Sequence, residues 1–588
     1  MSRHHVWSHL TPTQLENLAD FGIDPQGSAR GPGRAEAVAA AEREGHEWVR
    51  FDEAQISEVA AFGVEREVAQ GEILFSAGDD DPSFFLVLEG EVEIFGLSDG
   101  EQVAIAMHSA GHFLGELSLL LGQRPFISAV AASAGRVLVT DPVAFRHLMS
   151  TKPEISDVIF REFVARRGIV NAGPGSGAVR IIGTRYSSES MALRSFVNHS
   201  QVPHVWIDLD EVDDAATYLT SVGATAHDVP IVITATALLR GATPADLAEV
   251  LGVAHHVAPG EISDLVVVGS GPAGLAASIV GAAEGLGTWG YDRANVGGQA
   301  GASSRIENYV GFPNGVSGDD LIASAAIQAS RLGAVLSAPN DVVGLRVENG
   351  YRVVVLADGS EIAARAVIIA TGARYRRLDV ENLPEFEGAG VYYSTTELEV
   401  RVCEEGDTIV IGGGNSAGQA ALYLATRARN VTLVIRRGNL TDTMSHYLIE
   451  RIEADPRIQV RFNTEVTALR GSGHLQGATL SDRKSGESQE VACAGVFCFI
   501  GAVAATAWLG DTLLLDDSGF ILVDRSLPDS VTESPLFGGR EPFPFETSVP
   551  GVFAAGDVRS GSLKRVASAV GEGTNAVRSV FDYMATIT

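Results

Sequence analysis

The chain is short of thiols, of lysine and of long apolar runs, and each shortage excludes something. Only Cys403, Cys493 and Cys498 occur in 588 residues, too few for a disulfide framework and in keeping with a reducing compartment. No two of them have CxxC spacing, and no cluster has metal-ligand spacing, so no redox dithiol and no metal is expected. Lysine is confined to Lys152, Lys484 and Lys564, and the formal charge is −31. Such acidity repels phosphate backbones and anionic lipid, which argues against nucleic acid or a membrane surface as partner. No stretch approaches about 18 uninterrupted apolar residues, and residues 1–21 lack the apolar core of a secretion signal. A cytoplasmic protein is expected.

What is present suits several cores. At this length three or four domains of about 100 to 150 residues are expected. Composition shifts at residues 171–177, rich in glycine, serine and proline, and more weakly at 255–263. Ahead of the first seam, short apolar runs (73–75, 84–88, 92–95) alternate with Gly71, Gly78, Gly90, Gly96 and Gly100, which indicates a compact all-β unit. An apolar strand and a helix-like stretch at 142–164 close it.

Three motifs in the last 330 residues carry the chemistry. Residues 264–268 read as a buried parallel strand running into Gly269-Ser270-Gly271-Pro272-Ala273-Gly274 and a helix. Gly269 permits the tight turn, Gly271 lets a pyrophosphate approach the backbone, and Gly274 lets helix and strand pack closely. The helix N-terminus then faces the phosphates. Asp292, at the end of the next strand, lies where a carboxylate would accept hydrogen bonds from the adenosine ribose. The strand at 408–411 enters a second cluster, Gly412-Gly413-Gly414-Asn415-Ser416-Ala417, by the same logic. The strand after it ends in Arg436-Arg437, which suits the 2′-phosphate of NADPH better than NADH. The third motif runs from Gly551 to Gly556-Asp557.

Gly297-Gly298-Gln299, the run 306–313 around Asn308, Thr371-Gly372, and Lys564-Arg565-Val566 after Gly556-Asp557 together resemble thioredoxin reductase and its relatives. The resemblance implies FAD and NADPH as cofactors, with Val342 and the residues just named at the flavin. Asp557 would hold the ribityl chain, and Lys564 and Arg565 would lie near the isoalloxazine, where positive charge favours the reduced ring. A homodimer is also implied. The family's dithiol region reads here Tyr392-Tyr393-Ser394-Thr395-Thr396-Glu397-Leu398, with neither thiol. The expected reaction is hydride transfer from NADPH to FAD, then onward to a non-dithiol acceptor such as a quinone, a carrier protein or dioxygen. No catalytic side chain is assigned. Two other readings stay open: a disulfide reductase using Cys403 or a partner's thiols, and a flavin sensor that is not an enzyme.

Two front segments carry resemblances of their own. The stretch 55–172, with Gly115-Glu116-Leu117, resembles a cyclic nucleotide-binding domain. There the turn would meet ribose and phosphate, with an arginine, here Arg124, gripping the anion. Arg124 comes one residue before the expected place, Pro125, so a cyclic nucleotide, another small ligand and a purely structural role all stay open. The order strand, helix, strand, then a strand opened by Pro230 resembles a thioredoxin or glutaredoxin fold whose thiol positions hold Ser187-Ser188-Glu189-Ser190. The expected architecture is therefore a β-roll, a thioredoxin-like α/β domain and two Rossmann-like three-layer domains. Boundaries are expected at 1–54 (helical extension), 55–172, 173–258, 259–377 with 505–588 (FAD), and 378–504 (NAD(P)H).

Overall fold

The computed structural model describes residues 48–80, 82–98, 101–172, 179–255, 257, 260–303, 305–404 and 406–587. Most of the expected N-terminal extension, and the glycine-rich part of the first seam, lie outside the described residues. Two compact units result: residues up to Thr184 with Ala192–His255 and Ile327–Gly333, and Arg185–Met191 with His256–Ala326 and the rest from Ala334 on.

The first unit begins with two four-stranded antiparallel sheets. One is ordered Val64–Val68, Gly135–Thr140, Phe84–Glu89, Phe113–Leu114; the other Ile73–Phe75, Ser128–Ala131, Glu91–Ser98, Glu101–Ser109. Alternation of the kind seen in Ser128–Ala131 turns one face of each sheet inward, where Ala129 and Ala131 pack with Phe85, Val87 and Ile94, and Phe84, Leu86 and Phe113 pack in a second core with Phe145 and Leu148. The helix expected over 142–164 is two helices, Pro142–Thr151 and Pro153–Ala172. Pro153 drives Lys152 out of helical geometry, to φ −123° and ψ 79°, and starts the second helix.

A third sheet in this unit is ordered Val205–Asp208, Arg180–Gly183, Ile231–Ile233, Leu238–Arg240. Its first pair is parallel and the others antiparallel, with helix Ser188–His199 linking the parallel pair. The Val229–Pro230 peptide before the third strand is cis.

The second unit holds two sheets of like plan. In one, Val335–Ser337, Thr288–Tyr291, Ile262–Val268, Glu361–Ile369 and Val552–Ala554 run parallel, and Val342–Glu348 and Tyr351–Leu356 extend Glu361–Ile369 as an antiparallel meander. Leu265, Val266 and Val267 are fully buried, as a strand covered on both faces requires. The other sheet is parallel in the order Val391–Tyr392, Gly495–Cys498, Asp407–Ile411, Asn430–Ile435, Ile458–Phe462, beside a separate three-stranded meander. A ribbon of Ala373–Tyr375 against Ala502–Ala504 carries the chain across and back.

Helix Val566–Ile587 packs on helix Pro272–Ala283 at a glycine contact. A Cβ on Gly573 would lie 2.0 Å from the Ala273 carbonyl oxygen, whereas one on Gly571 meets nothing within 4 Å. The two alanine substitutions should therefore differ in sign in urea denaturation. Gly573→Ala should lose about 1–3 kcal/mol by overpacking, and Gly571→Ala should gain up to about 1 kcal/mol of helix propensity. Equal effects would contradict this packing.

Candidate active site

The first glycine cluster forms because strand and helix approach too closely for side chains. Gly269 takes φ +102°, and a Cβ there would lie 2.4 Å from the Ala370 carbonyl oxygen. A Cβ on Gly274 would lie 1.7 Å from the Gly269 oxygen. Gly271 is different: it caps helix Pro272–Ala283, and a Cβ on it would have only the Gly298 Cα, 3.8 Å away, within contact range. Ser270, almost fully buried, has a hydroxyl with no hydrogen-bond partner. An open cradle at a helix N-terminus with an unpaired hydroxyl fits a pyrophosphate group.

Around it the structure gathers most of the expected residues. Asp292 accepts from the Ser270 amide (2.8 Å) and the Ala294 amide (3.0 Å), and burial pushes its carboxyl above the usual range. The Gly297 amide donates to the Ser270 carbonyl, and the Gln299 amide group to the Ala373 carbonyl. Thr371 Oγ1 donates to the Ala505 carbonyl (3.0 Å), and Gly372 follows at φ +66°. Gly556 approaches the same helix start, since a Cβ there would lie 2.9 Å from the Ala273 Cβ. Asp557 follows, its carboxyl raised by burial and lowered by Lys564. Burial and the charge of Asp557 push the Tyr375 phenol up to about 12.

The remaining expected residues are core or surface positions. Val342 is a core residue opening its strand. Asn308 is exposed in a loop closed by the Ile306–Val316 bridge. Lys564 and Arg565 are exposed just before Val566 begins the last helix, and the Lys564 ammonium sits 4.1 Å over the Phe520 ring.

The second cluster repeats the geometry. Gly412 takes φ +145°, where a Cβ would strike the Phe499 carbonyl, while Gly414 caps helix Asn415–Leu424 with open space before it. Asn415 Oδ1 accepts from the Ser445 amide (2.7 Å), and Thr443 Oγ1 donates to the Gly413 carbonyl (2.6 Å). Ser416 and the buried Ala417 continue the first turn. Arg436 and Arg437 are exposed where strand Asn430–Ile435 ends. Sequence reading missed Thr443 and Ser445, which belong to no motif.

The segment from Ser394 to Glu399 is a capped helix start. Ser394 Oγ donates to Glu399 Oε1 (2.8 Å) and the Thr396 amide to Glu399 Oε2 (2.8 Å), capping helix Glu397–Val402. Cys403, Cys493 and Cys498 are all buried, and desolvation pushes each thiol up to about 12. Cys403 is held toward the Ala494 carbonyl at 3.5 Å.

In the first unit Glu116 and Arg124, the residues expected to meet a nucleotide, are both engaged by protein partners. Glu116 is buried with Oε1 2.9 Å from Arg166, which also pairs with Glu162 at 2.9 Å and donates to the Phe113 carbonyl at 2.7 Å. Removing one partner of such a buried pair costs about 3–5 kcal/mol, so Glu116 is bound into the core. Arg124 donates to the Glu249 and Val250 carbonyls (both 2.9 Å) at the end of helix Pro244–Leu251, and pairs with Asp80. A cation suits a helix C-terminus, and the fork is occupied there. Gly115, at φ +94°, would place a Cβ 2.1 Å from the Ser83 carbonyl, and Leu117 packs on the core.

Residues 263–573 match the family model of pyridine nucleotide-disulphide oxidoreductases. The chain belongs to that family. It is an oxidoreductase that uses FAD and NAD(P)H. Residues 65–152 match a cyclic nucleotide-binding domain. The chain is 32% identical over 328 residues to thioredoxin reductase of Streptomyces clavuligerus, covering 56% of this chain and 95% of that one. It is likewise 32% identical over 324 residues to thioredoxin reductase of Treponema pallidum, covering 55% and 98%. The crystal structure of Lactococcus lactis thioredoxin reductase superposes with a TM-score of 0.50 at 28% identity, covering 55% of this chain and 99% of that one. Among the described residues no helix is long and apolar enough to cross a membrane.

Because burial holds the thiols near 12, above the ordinary 9, they stay protonated through neutral and mildly alkaline pH. Iodoacetamide at about pH 8 should therefore label none of the three in the folded protein and all three after denaturation. Rapid labelling of native Cys403 would contradict the geometry.

Proposed function

We propose that this oxidoreductase takes hydride equivalents from NADPH and passes them to an acceptor without a dithiol of its own. The observation that carries the reading is the dithiol position itself, a capped helix start in which Ser394 and Thr396 hydrogen-bond Glu399 while the chain's three thiols are buried elsewhere. Residues 259–377 with 505–588 would form the FAD half and 378–504 the NAD(P)H half. FAD, when bound, supplies a two-electron acceptor for a nicotinamide hydride. Gly271 and Ser270 would receive its pyrophosphate, Asp292 its ribose, and Asp557 its ribityl chain. Gly414 would give the nicotinamide dinucleotide the same helix-end seat, and Arg436 and Arg437 would select the 2′-phosphate.

The front of the chain supports a regulatory or docking reading, not a second redox centre. Its four-stranded sheet order, with a helix joining the parallel pair, supports a thioredoxin-like fold whose thiol positions hold Ser187 and Ser190. A cyclic nucleotide or other anion at the preceding domain would have to take Arg124 from the helix carbonyls it now caps.

Steady-state assays test the proposal. NADPH oxidation should be supported by a quinone or dioxygen and not by oxidised thioredoxin, and should be unchanged in Cys403→Ala. Arg436→Ala with Arg437→Ala should raise the KM for NADPH by about tenfold or more while leaving that for NADH nearly unaltered. Thioredoxin-dependent turnover abolished by Cys403→Ala would overturn it.

A further inference from the structure

The Gly556–Asp557 turn and the segment after it are held by a carboxylate that no motif contains. Glu572 lies on helix Val566–Ile587, one residue before the Gly573 contact with Ala273, and its side chain is only 12% exposed. Its Oε2 accepts from the Gly556 amide at 2.8 Å and from Arg559 Nε at 3.1 Å. Its Oε1 accepts from Arg559 Nη2 at 2.7 Å and from Ser562 Oγ at 3.0 Å. Four donors from three points of one loop converge on a single side chain. They fix the Ala555–Gly556 peptide, which leads into Asp557, and the segment leading to Lys564 and Arg565.

The carboxylate also acts through its charge. It opposes Lys564 at Asp557, Lys564 lowering the Asp557 carboxyl and Glu572 raising it. Arg559 answers that negative charge, and its guanidinium lies 5.6 Å over the Phe545 ring. A helix glutamate kept only for solubility would stay in water, and one kept only to join helices would reach another helix. This one spends all its hydrogen-bonding capacity on the backbone turn and loop that carry the third motif.

We propose that Glu572 is a positioning residue for the flavin, setting the Gly556–Asp557 turn and, through Arg559 and Ser562, the approach of the basic loop. The proposal rests on the FAD reading of that turn. Glutamine at this place keeps an acceptor for the Gly556 amide but loses the charge that holds Arg559. Alanine loses both. Ser562→Ala removes one hydrogen bond and leaves the ion pair in place.

The test is apoprotein titration with FAD, followed by fluorescence quenching, together with the flavin midpoint potential and visible spectrum of each reconstituted protein. Glu572→Gln should weaken FAD binding about tenfold and Glu572→Ala more, charge-assisted hydrogen bonds being the stronger kind. Ser562→Ala should weaken it by a few-fold. The potential of Glu572→Gln should move to a more positive value, since a negative charge is lost beside a centre that gains electrons. A purely structural Glu572 would lower the melting temperature of apo and reconstituted protein alike while leaving affinity, potential and spectrum as in wild type, and that result overturns the proposal. Should Glu572→Ala not fold, Glu572→Gln and Ser562→Ala decide it in the same way. Wild-type protein that takes up no FAD overturns both this proposal and the reading beneath it, whereas an unchanged variant beside an FAD-binding wild type overturns this proposal alone.

Discussion

A helix cannot begin against a strand end with exposed amides unless side chains leave the turn. At Gly269 and Gly274 they must, because a single methyl group would drive into a carbonyl oxygen. At Gly271 and Gly414 no protein atom demands the absence, so the space is free for a ligand. The two halves of the second unit repeat this division of labour, with some glycines closing the fold and others opening it. The Gly556 turn seats on the same helix start, and Glu572 sets its angle. The polar atoms of the first site, Ser270 and Asp292 among them, take their places from that one crowded junction.

The same unit contains a helix start held wholly by side-chain hydrogen bonds. Ser394, Thr396 and Glu399 satisfy one another as a helix cap. Such a cap contributes about 1 kcal/mol to helix stability and has no two-electron chemistry. The remaining thiols lie in apolar cores, where desolvation keeps them neutral. Two glycine-opened helix starts stand in this unit, and none of its buried thiols lies at either of them.

Motifs whose reason is local were legible in the sequence. Both glycine clusters, Asp292 and the Gly556–Asp557 turn could be read because strand, turn and helix follow one another directly. The break at Pro153 carries its own signal, since a residue before proline is disfavoured from helix, but the helical pattern over 142–164 runs across it. Partnerships across the chain were not legible. Nothing near Glu116 announces Arg166, 50 residues on, and nothing near Arg124 announces carbonyls more than 120 residues away. Glu572, Thr443 and Ser445 were invisible for the same reason, as their roles depend on which backbone group folding brings to them.

The central claim is that electrons enter at a flavin and meet no second two-electron centre on this chain. Anaerobic titration of the FAD-loaded protein with NADPH, followed by flavin absorbance and by counting reducing equivalents, measures this directly. The account predicts that full reduction consumes about one NADPH per flavin, with the bleaching linear from the first addition. Uptake of about two NADPH per flavin, with a lag before bleaching and new titratable thiols, would contradict it.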